Sequence, residues 1–198
     1  RNPIGLLEAL RNLKARDFDG LPEMRLRLLG KINANLNMAQ TLRSLEIEDI
    51  IGLGGQVTYE ASLLAMMEAD ILVVLQSPRN RIAIPAKLYE YLGIGKPILA
   101  LSDGGDLDWL LQASGGTYRI ASPRDPAGIE RAVSELARAV RDGQAAPPPQ
   151  VKLYPFTREH MAEQLAAMMS RLLDRNGREA AQASAPRPVQ SMPRLQGK

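Results

Sequence analysis

The stretch from Ile84 to Leu101 constrains the fold more than any other part of the chain. It reads Ile84-Pro85-Ala86-Lys87-Leu88-Tyr89-Glu90-Tyr91-Leu92-Gly93-Ile94-Gly95-Lys96-Pro97-Ile98-Leu99-Ala100-Leu101. Pro85 has a fixed φ and no N–H, which suits the first turn of a helix. Leu88, Tyr91 and Leu92 recur at helical spacing. Gly93 and Gly95 are expected to stop that helix, and Pro97 forbids its continuation. Ile98 to Leu101 is then a short apolar run of strand type. Lys87 falls in the helix's first turn, where the macrodipole is already positive, and a cation there costs roughly 0.3–1 kcal/mol unless an anion offsets it. Free backbone amides and a lysine at one helix end together make a phosphate site. Glu90 lies one turn further on the same face, where a carboxylate can accept hydrogen bonds from sugar hydroxyls. Phosphate followed by ribose is the layout of a nucleotide. The plain structural reading of the pair is an i,i+3 ion pair on a helix face.

The same alternation continues on both sides. Ile4, Leu6, Leu7, Leu10 and Leu13 predict a first helix, and Leu26 to Leu29 a strand ending at Gly30. Met38, Leu42 and Leu45 predict a second helix. Asp49 to Leu53 reads as a strand running into Gly52-Leu53-Gly54-Gly55, and Thr58 as the N-cap of a helix through Met67. Ile71 to Leu75 is the most strand-like run. Asp106 to Gln112 reads as a helix and Thr117 to Ile120 as a strand. Asp125-Pro126 supplies an N-cap and an N1 proline for a helix through Val140. Strands alternating with helices predict an α/β fold with a parallel sheet.

The remaining organisation is simple. A domain over 1–144 is followed by a stiff Pro-rich linker over 145–157, built on Ala145-Ala146-Pro147-Pro148-Pro149. An amphipathic helix over 158–175 carries Met161, Leu165, Met168, Met169 and Leu172, a stripe of core or domain-interface type. The segment 176–198 is polar and rich in Ala, Gln and Ser, and reads as disordered.

Composition excludes several function classes. The 198 residues hold no cysteine, so there is no disulfide, thiol nucleophile or zinc–thiolate site. Aromatic residues are only 4%, too few for a stacking platform on single-stranded nucleic acid. The net charge is +3 and the basic residues are scattered, so no nucleic-acid partner is expected. No apolar run approaches the roughly 20 residues that span a bilayer. Asp106-Leu107-Asp108 has an Asp-x-Asp spacing, but both carboxylates fall in a helix's first turn, where the dipole favours them without a metal. No metal site and no cofactor are expected. His160 is the only histidine and lies far in sequence from every candidate loop, in a surface or capping role.

The segment from Pro85 to Ala100 resembles the nucleotide-sugar-binding, C-terminal half of GT-B glycosyltransferases, particularly family 4. Weaker similarity extends from about Pro3 to Leu173. It includes Gly55-Gln56-Val57 before a helix, Ala69-Asp70-Ile71-Leu72-Val73-Val74 entering a strand, and Phe156-Thr157-Arg158-Glu159 opening the last helix. The resemblance implies a Rossmann-like, doubly wound parallel sheet whose usual first strand would lie upstream of Arg1. It also implies an N-terminal acceptor domain outside these residues, toward which the helix over 158–175 would return. It assigns Ala86 and Lys87 to the donor diphosphate, Glu90 to the ribose, and Gly55, Gln56 and Val57 to the base. It implies a nucleoside-diphosphate sugar such as a UDP-sugar as substrate and a glycan or lipid-linked envelope acceptor. A cytoplasmic location at the inner membrane face, with peripheral membrane contact of the full-length enzyme, goes with it. The catalytic residues are unknown from this segment and are expected partly in the acceptor domain. One departure stands out: of the two glutamates many family 4 enzymes carry, Glu90 matches the second, while the first falls on Ile82. Two competing readings remain, a nucleotide-sugar 2-epimerase of the same architecture and a degenerate nucleotide-binding or interaction domain without turnover.

Overall fold

A computed structural model describes residues 2–16, 24–31, 37–77 and 81–184. The chain forms two units, Arg1–Tyr154 and Pro155–Lys198. In the first, helices and strands alternate as α1 (Ile4–Ala15), β1 (Leu26–Leu29), α2 (Met38–Ser44), β2 (Ile51–Gly55), α3 (Tyr59–Glu68), β3 (Leu72–Leu75), α4 (Ala86–Ile94), β4 (Ile98–Leu101), α5 (Asp106–Ser114), β5 (Tyr118–Ala121), α6 (Pro126–Arg141) and α7 (Gln150–Leu153). A 3₁₀ turn, Tyr154–Phe156, follows, and the second unit is built on α8 (Arg158–Ser184). Among the described residues no helix is long and apolar enough to cross a membrane.

All strand pairs are parallel. β1 pairs with β2, and β3, β4 and β5 pair in that order. The sheet is divided between β1 and β3, which do not pair with each other. β4 is buried along its whole length, because both its faces are covered. Its alternate residues serve opposite faces. Leu99 and Leu101 join the core built by Leu6, Leu7, Leu10 and Leu13 of α1, Met38 and Leu42 of α2, and Ile129, Val133 and Leu136 of α6. Ile98 and Ala100 are buried on the other face, where α4 packs on β3 and on α3. Helices thus flank the sheet on both sides, with α1, α2 and α6 on one face.

Two polar ties bind the first of these faces. Glu130 of α6 is buried, yet accepts from Asn12 Nδ2 at 2.6 Å and pairs with Arg16 at 3.1 Å. Its charge is therefore satisfied, as a buried carboxylate must be. Lys14 Nζ lies 2.6 Å from Asp49 Oδ1 and holds that carboxyl below its ordinary pKa, chiefly through the hydrogen bond. Both groups are solvent-exposed, so the pair orients the loop before β2 more than it stabilises the fold.

Several boundaries differ from the sequence reading. Gly93 does not stop α4; it is a helical residue, and Gly95 alone ends the helix, at φ 79°. Asp125 stands at the N-cap of α6 without a side-chain capping bond and reaches instead toward Arg131 at 3.8 Å. The Pro-rich stretch is not held off as a spacer. Ala146 exchanges hydrogen bonds with Thr117, N–H to Oγ1 at 2.9 Å and carbonyl to N–H at 2.9 Å. The first unit therefore runs on to Tyr154. The last helix continues past Arg175 to Ser184, because the alanines and long straight side chains there are strong helix formers. The residues 185–198, also read as disordered, lie outside the described residues. The methionine and leucine stripe of α8 is solvent-exposed.

Candidate functional site

In a sheet of this kind every helix that follows a strand begins at the strands' carboxyl edge, where open α/β sheets bind ligands. The N-terminus of α4 lies there. Pro85 takes φ −59° and ψ 130° and its carbonyl accepts the first intrahelical bond, from Leu88 N–H at 2.9 Å. The amides of Ala86 and Lys87 precede that bond and are the helix's free donors. The approach to the helix is fixed from both ends. The buried Gln76, just after β3, donates from Nε2 to Ala83 O at 2.9 Å. Arg81 O accepts from Asp106 N–H at 3.0 Å, and Arg81 Nε donates to Gly104 O at 3.4 Å. A Cβ on Gly105 would overlap the Arg81 carbonyl. The Gly104-Gly105 turn therefore packs closely on the Arg81 backbone and leads into α5.

Lys87 and Glu90 meet. Lys87 Nζ is 2.6 Å from Glu90 Oε2, and Lys87 is also 3.2 Å from Ser62 Oγ. The Tyr59 ring centroid lies 5.7 Å from the ammonium, within cation–π range. Tyr59 and Ser62 stand in the first turns of α3. That helix is started by Thr58, whose Oγ1 accepts from Ala61 N–H at 3.2 Å. Gly55, Gln56 and Val57 form the bend between β2 and α3. Gly55 has φ 62° and Val57 is exposed. The structure thus gathers Lys87, Glu90, Ser62 and Tyr59 at one point, and the loop 55–57 feeds directly into it. Tyr59 and Ser62 carry no sign of this role in the sequence, since the contact depends on α3 and α4 being neighbours across the sheet face. Ile82, at the position the resemblance gives to the first of the two glutamates, is 83% exposed.

The other candidate groups are elsewhere. Asp106 and Asp108 both lie in the first turn of α5, and Asp103 pairs with Arg124 at 2.9 Å. Among the described residues no group of three or more His, Asp or Glu side chains is placed to hold a metal ion. His160 belongs to α8, with Nε2 2.8 Å from Gln164 Nε2. A surface depression of about 370 Å³ lined by Leu13, Arg16, Glu130 and Arg131 lies between α1 and α6, on the face opposite α4.

Among solved structures the chain is similar to sucrose-phosphate synthase from Thermosynechococcus elongatus, at TM-score 0.58 and 18% identity over 85% of the chain. The fold is that of one half of a GT-B glycosyltransferase. A second solved structure, AviGT4, a glycosyltransferase involved in avilamycin A biosynthesis, matches at TM-score 0.47 and 16% identity over 85% of the chain. The chain spans 42% and 48% of the lengths of these two proteins. No protein-family model and no curated protein matches the sequence. In a GT-B half, the carboxyl edge carrying Lys87 and Glu90 is the edge that open α/β sheets present to ligands.

Proposed function

We propose that this chain is the donor-binding half of a glycosyltransferase that uses a nucleoside-diphosphate sugar. The observation that supports it most directly is the start of α4: two free amides, an ammonium and a carboxylate side by side at the carboxyl edge of a GT-B-type sheet. The amides of Ala86 and Lys87 receive the diphosphate, the Lys87 ammonium offsets its charge, and Glu90 accepts from the ribose hydroxyls. Gly55, Gln56 and Val57 border the base, and Tyr59 adds an aromatic edge beside Lys87. When the glycosidic bond breaks, negative charge develops on the leaving diphosphate. A helix N-terminus and a lysine aimed at that charge stabilise it electrostatically. The acceptor, a glycan or lipid-linked intermediate at a membrane's cytoplasmic side, would be held by the other half of the enzyme.

In the unliganded geometry Lys87 and Glu90 neutralise each other, so binding must open the pair. A diphosphate carries more charge than one carboxylate and adds helix-amide bonds, so it wins the ammonium and frees Glu90 for the ribose. The test is calorimetric titration of the chain with UDP and with GDP, each with and without EDTA. Binding of one nucleotide that EDTA leaves unchanged is the expected result. No heat at millimolar nucleotide, or binding abolished by EDTA, would refute it.

Ile82 favours one second reading. An exposed aliphatic side chain stands where a sugar-contacting carboxylate is expected, as in a nucleotide-binding module that has lost turnover. Nucleotide binding without transfer by the full-length protein, across a panel of UDP- and GDP-sugars, would support that reading against the first.

A further inference from the structure

We infer, resting on the proposed nucleotide site at α4, that the Ser62 hydroxyl of α3 is a second, uncharged hydrogen-bond donor to the same diphosphate. Lys87 Nζ and Ser62 Oγ are 3.2 Å apart, and the chemistry of the two groups fixes the direction of their bond. An ammonium has three donors and no acceptor, so Ser62 Oγ accepts and keeps its own proton to give. Among the described residues that proton has no taker.

Ser62 differs in this from hydroxyls in three other helices. Thr41 Oγ1 and Ser44 Oγ of α2, Ser114 Oγ of α5 and Ser134 Oγ of α6 each donate to a carbonyl three or four residues back, at 3.1, 2.9, 3.0 and 2.8 Å. Such back-bonding is a usual employment of a helical hydroxyl. In α3 the corresponding carbonyl, Thr58 O, accepts from Ser62 N–H at 3.0 Å, but the hydroxyl lies against Lys87 of the neighbouring helix. Ser62 is half-buried, so its oxygen is held at the site rather than loose in solvent.

The surroundings of the ammonium leave room for an anion. Tyr59 and Ser62 stand at i,i+3 and share one face of α3; Lys87 and Glu90 share a face of α4 at the same spacing. Glu90 Oε2 at 2.6 Å and Ser62 Oγ engage two of the three ammonium hydrogens. The Tyr59 ring, 5.7 Å from Nζ, attracts the charge through its π face. A phosphate carries several acceptor oxygens on one group. As Glu90 is released, one oxygen takes the ammonium and a neighbouring oxygen takes the Ser62 proton. Accepting from an ammonium polarises the hydroxyl and strengthens it as a donor, and a bond to an ionised acceptor is roughly twice as strong as a neutral one. A hydroxyl adds no charge, so it leaves the Lys87–Glu90 pair undisturbed until the ligand arrives. A nucleoside has no phosphate to take the proton, so Ser62 acts on phosphorylated ligands alone.

Titration of the 198-residue chain and its Ser62→Ala variant with UDP, GDP, uridine and guanosine, at two salt concentrations, tests this. Alanine is a better helix former than serine, so the variant keeps the fold, and a thermal melt verifies that. Ser62→Ala should weaken the diphosphate that the parent chain binds by about ten-fold or more and leave the matching nucleoside unchanged. The salt dependence of diphosphate binding should stay that of the parent chain, because the lost group is neutral. Unchanged diphosphate affinity in Ser62→Ala, with the parent chain binding, would overturn the inference and leave the nucleotide site standing. A loss of affinity together with a flattened salt dependence would also overturn it, since Ser62 would then act only by holding Lys87. If the parent chain binds neither UDP nor GDP, the nucleotide site itself fails, and the role of Ser62 with it.

Discussion

Lys87 and Glu90 are 2.6 Å apart, so each shapes what the other can do, and substituting one has two consequences. In the proposed donor site, Glu90→Gln removes a charged acceptor from the ribose, a hydrogen bond worth about 1.5–3 kcal/mol. It also frees the Lys87 ammonium, which helps a diphosphate and does nothing for a nucleoside. Glu90→Gln should therefore weaken uridine about ten-fold or more and weaken UDP by less. Lys87→Ala should weaken UDP strongly, leave uridine nearly unchanged, and show its effect best at low salt, where charge is least screened. Titrations of both variants with both ligands at two salt concentrations check this. If neither variant changes binding while both stay folded, the pair is a surface ion pair and nothing more.

At the scale of elements, α4 shows what the sequence could say and what it could not. Its existence, its start at Pro85 and the buried strand after it were all legible, because proline geometry, helical spacing and an apolar run are local. Its end was not fully legible, since two glycines stood as candidate stops. Gly93 continues the helix and Gly95 leaves it at positive φ, beside Pro147, a neighbour distant in the chain. The same limit hid Tyr59 and Ser62, whose contact with Lys87 comes from helix packing, and the docking of Ala146 on Thr117. Two substitutions separate the glycines. A Cβ at Gly93 meets nothing within 4 Å, so Gly93→Ala should stabilise the unit by roughly 0.5–1 kcal/mol through helix propensity. At Gly95 a Cβ would sit 3.0 Å from Pro147 Cβ at φ 79°, so Gly95→Ala should destabilise by about 1–3 kcal/mol. Urea denaturation of both variants gives the sign directly, and a stabilising Gly95→Ala would contradict the assigned helix end.

The whole molecule sets the limit on activity. Sugar transfer needs a donor, an acceptor and groups that act on the reacting atoms between them. This chain offers Lys87, with Glu90, Ser62 and Tyr59 as its neighbours, as the proposed contact for a leaving diphosphate. On the side where a sugar-contacting carboxylate would stand it offers Ile82. It spans 42% of the sucrose-phosphate synthase it is similar to, and its α8 leaves Met161, Leu165, Met168, Met169, Leu172 and Leu173 exposed. Such an apolar stripe on one helix is a surface made to be covered. Binding and catalysis should therefore separate. The 198-residue chain should bind nucleotide yet neither transfer nor hydrolyse any sugar donor above the uncatalysed background. The full-length protein should transfer while binding the nucleotide with similar affinity, because the proposed diphosphate and ribose contacts lie within this half. Nucleotide titration and product analysis on both forms, with the same donor panel, decide the matter. Transfer by the 198-residue chain alone would show that acceptor and catalytic groups lie within it, and would overturn the division of labour between the two halves.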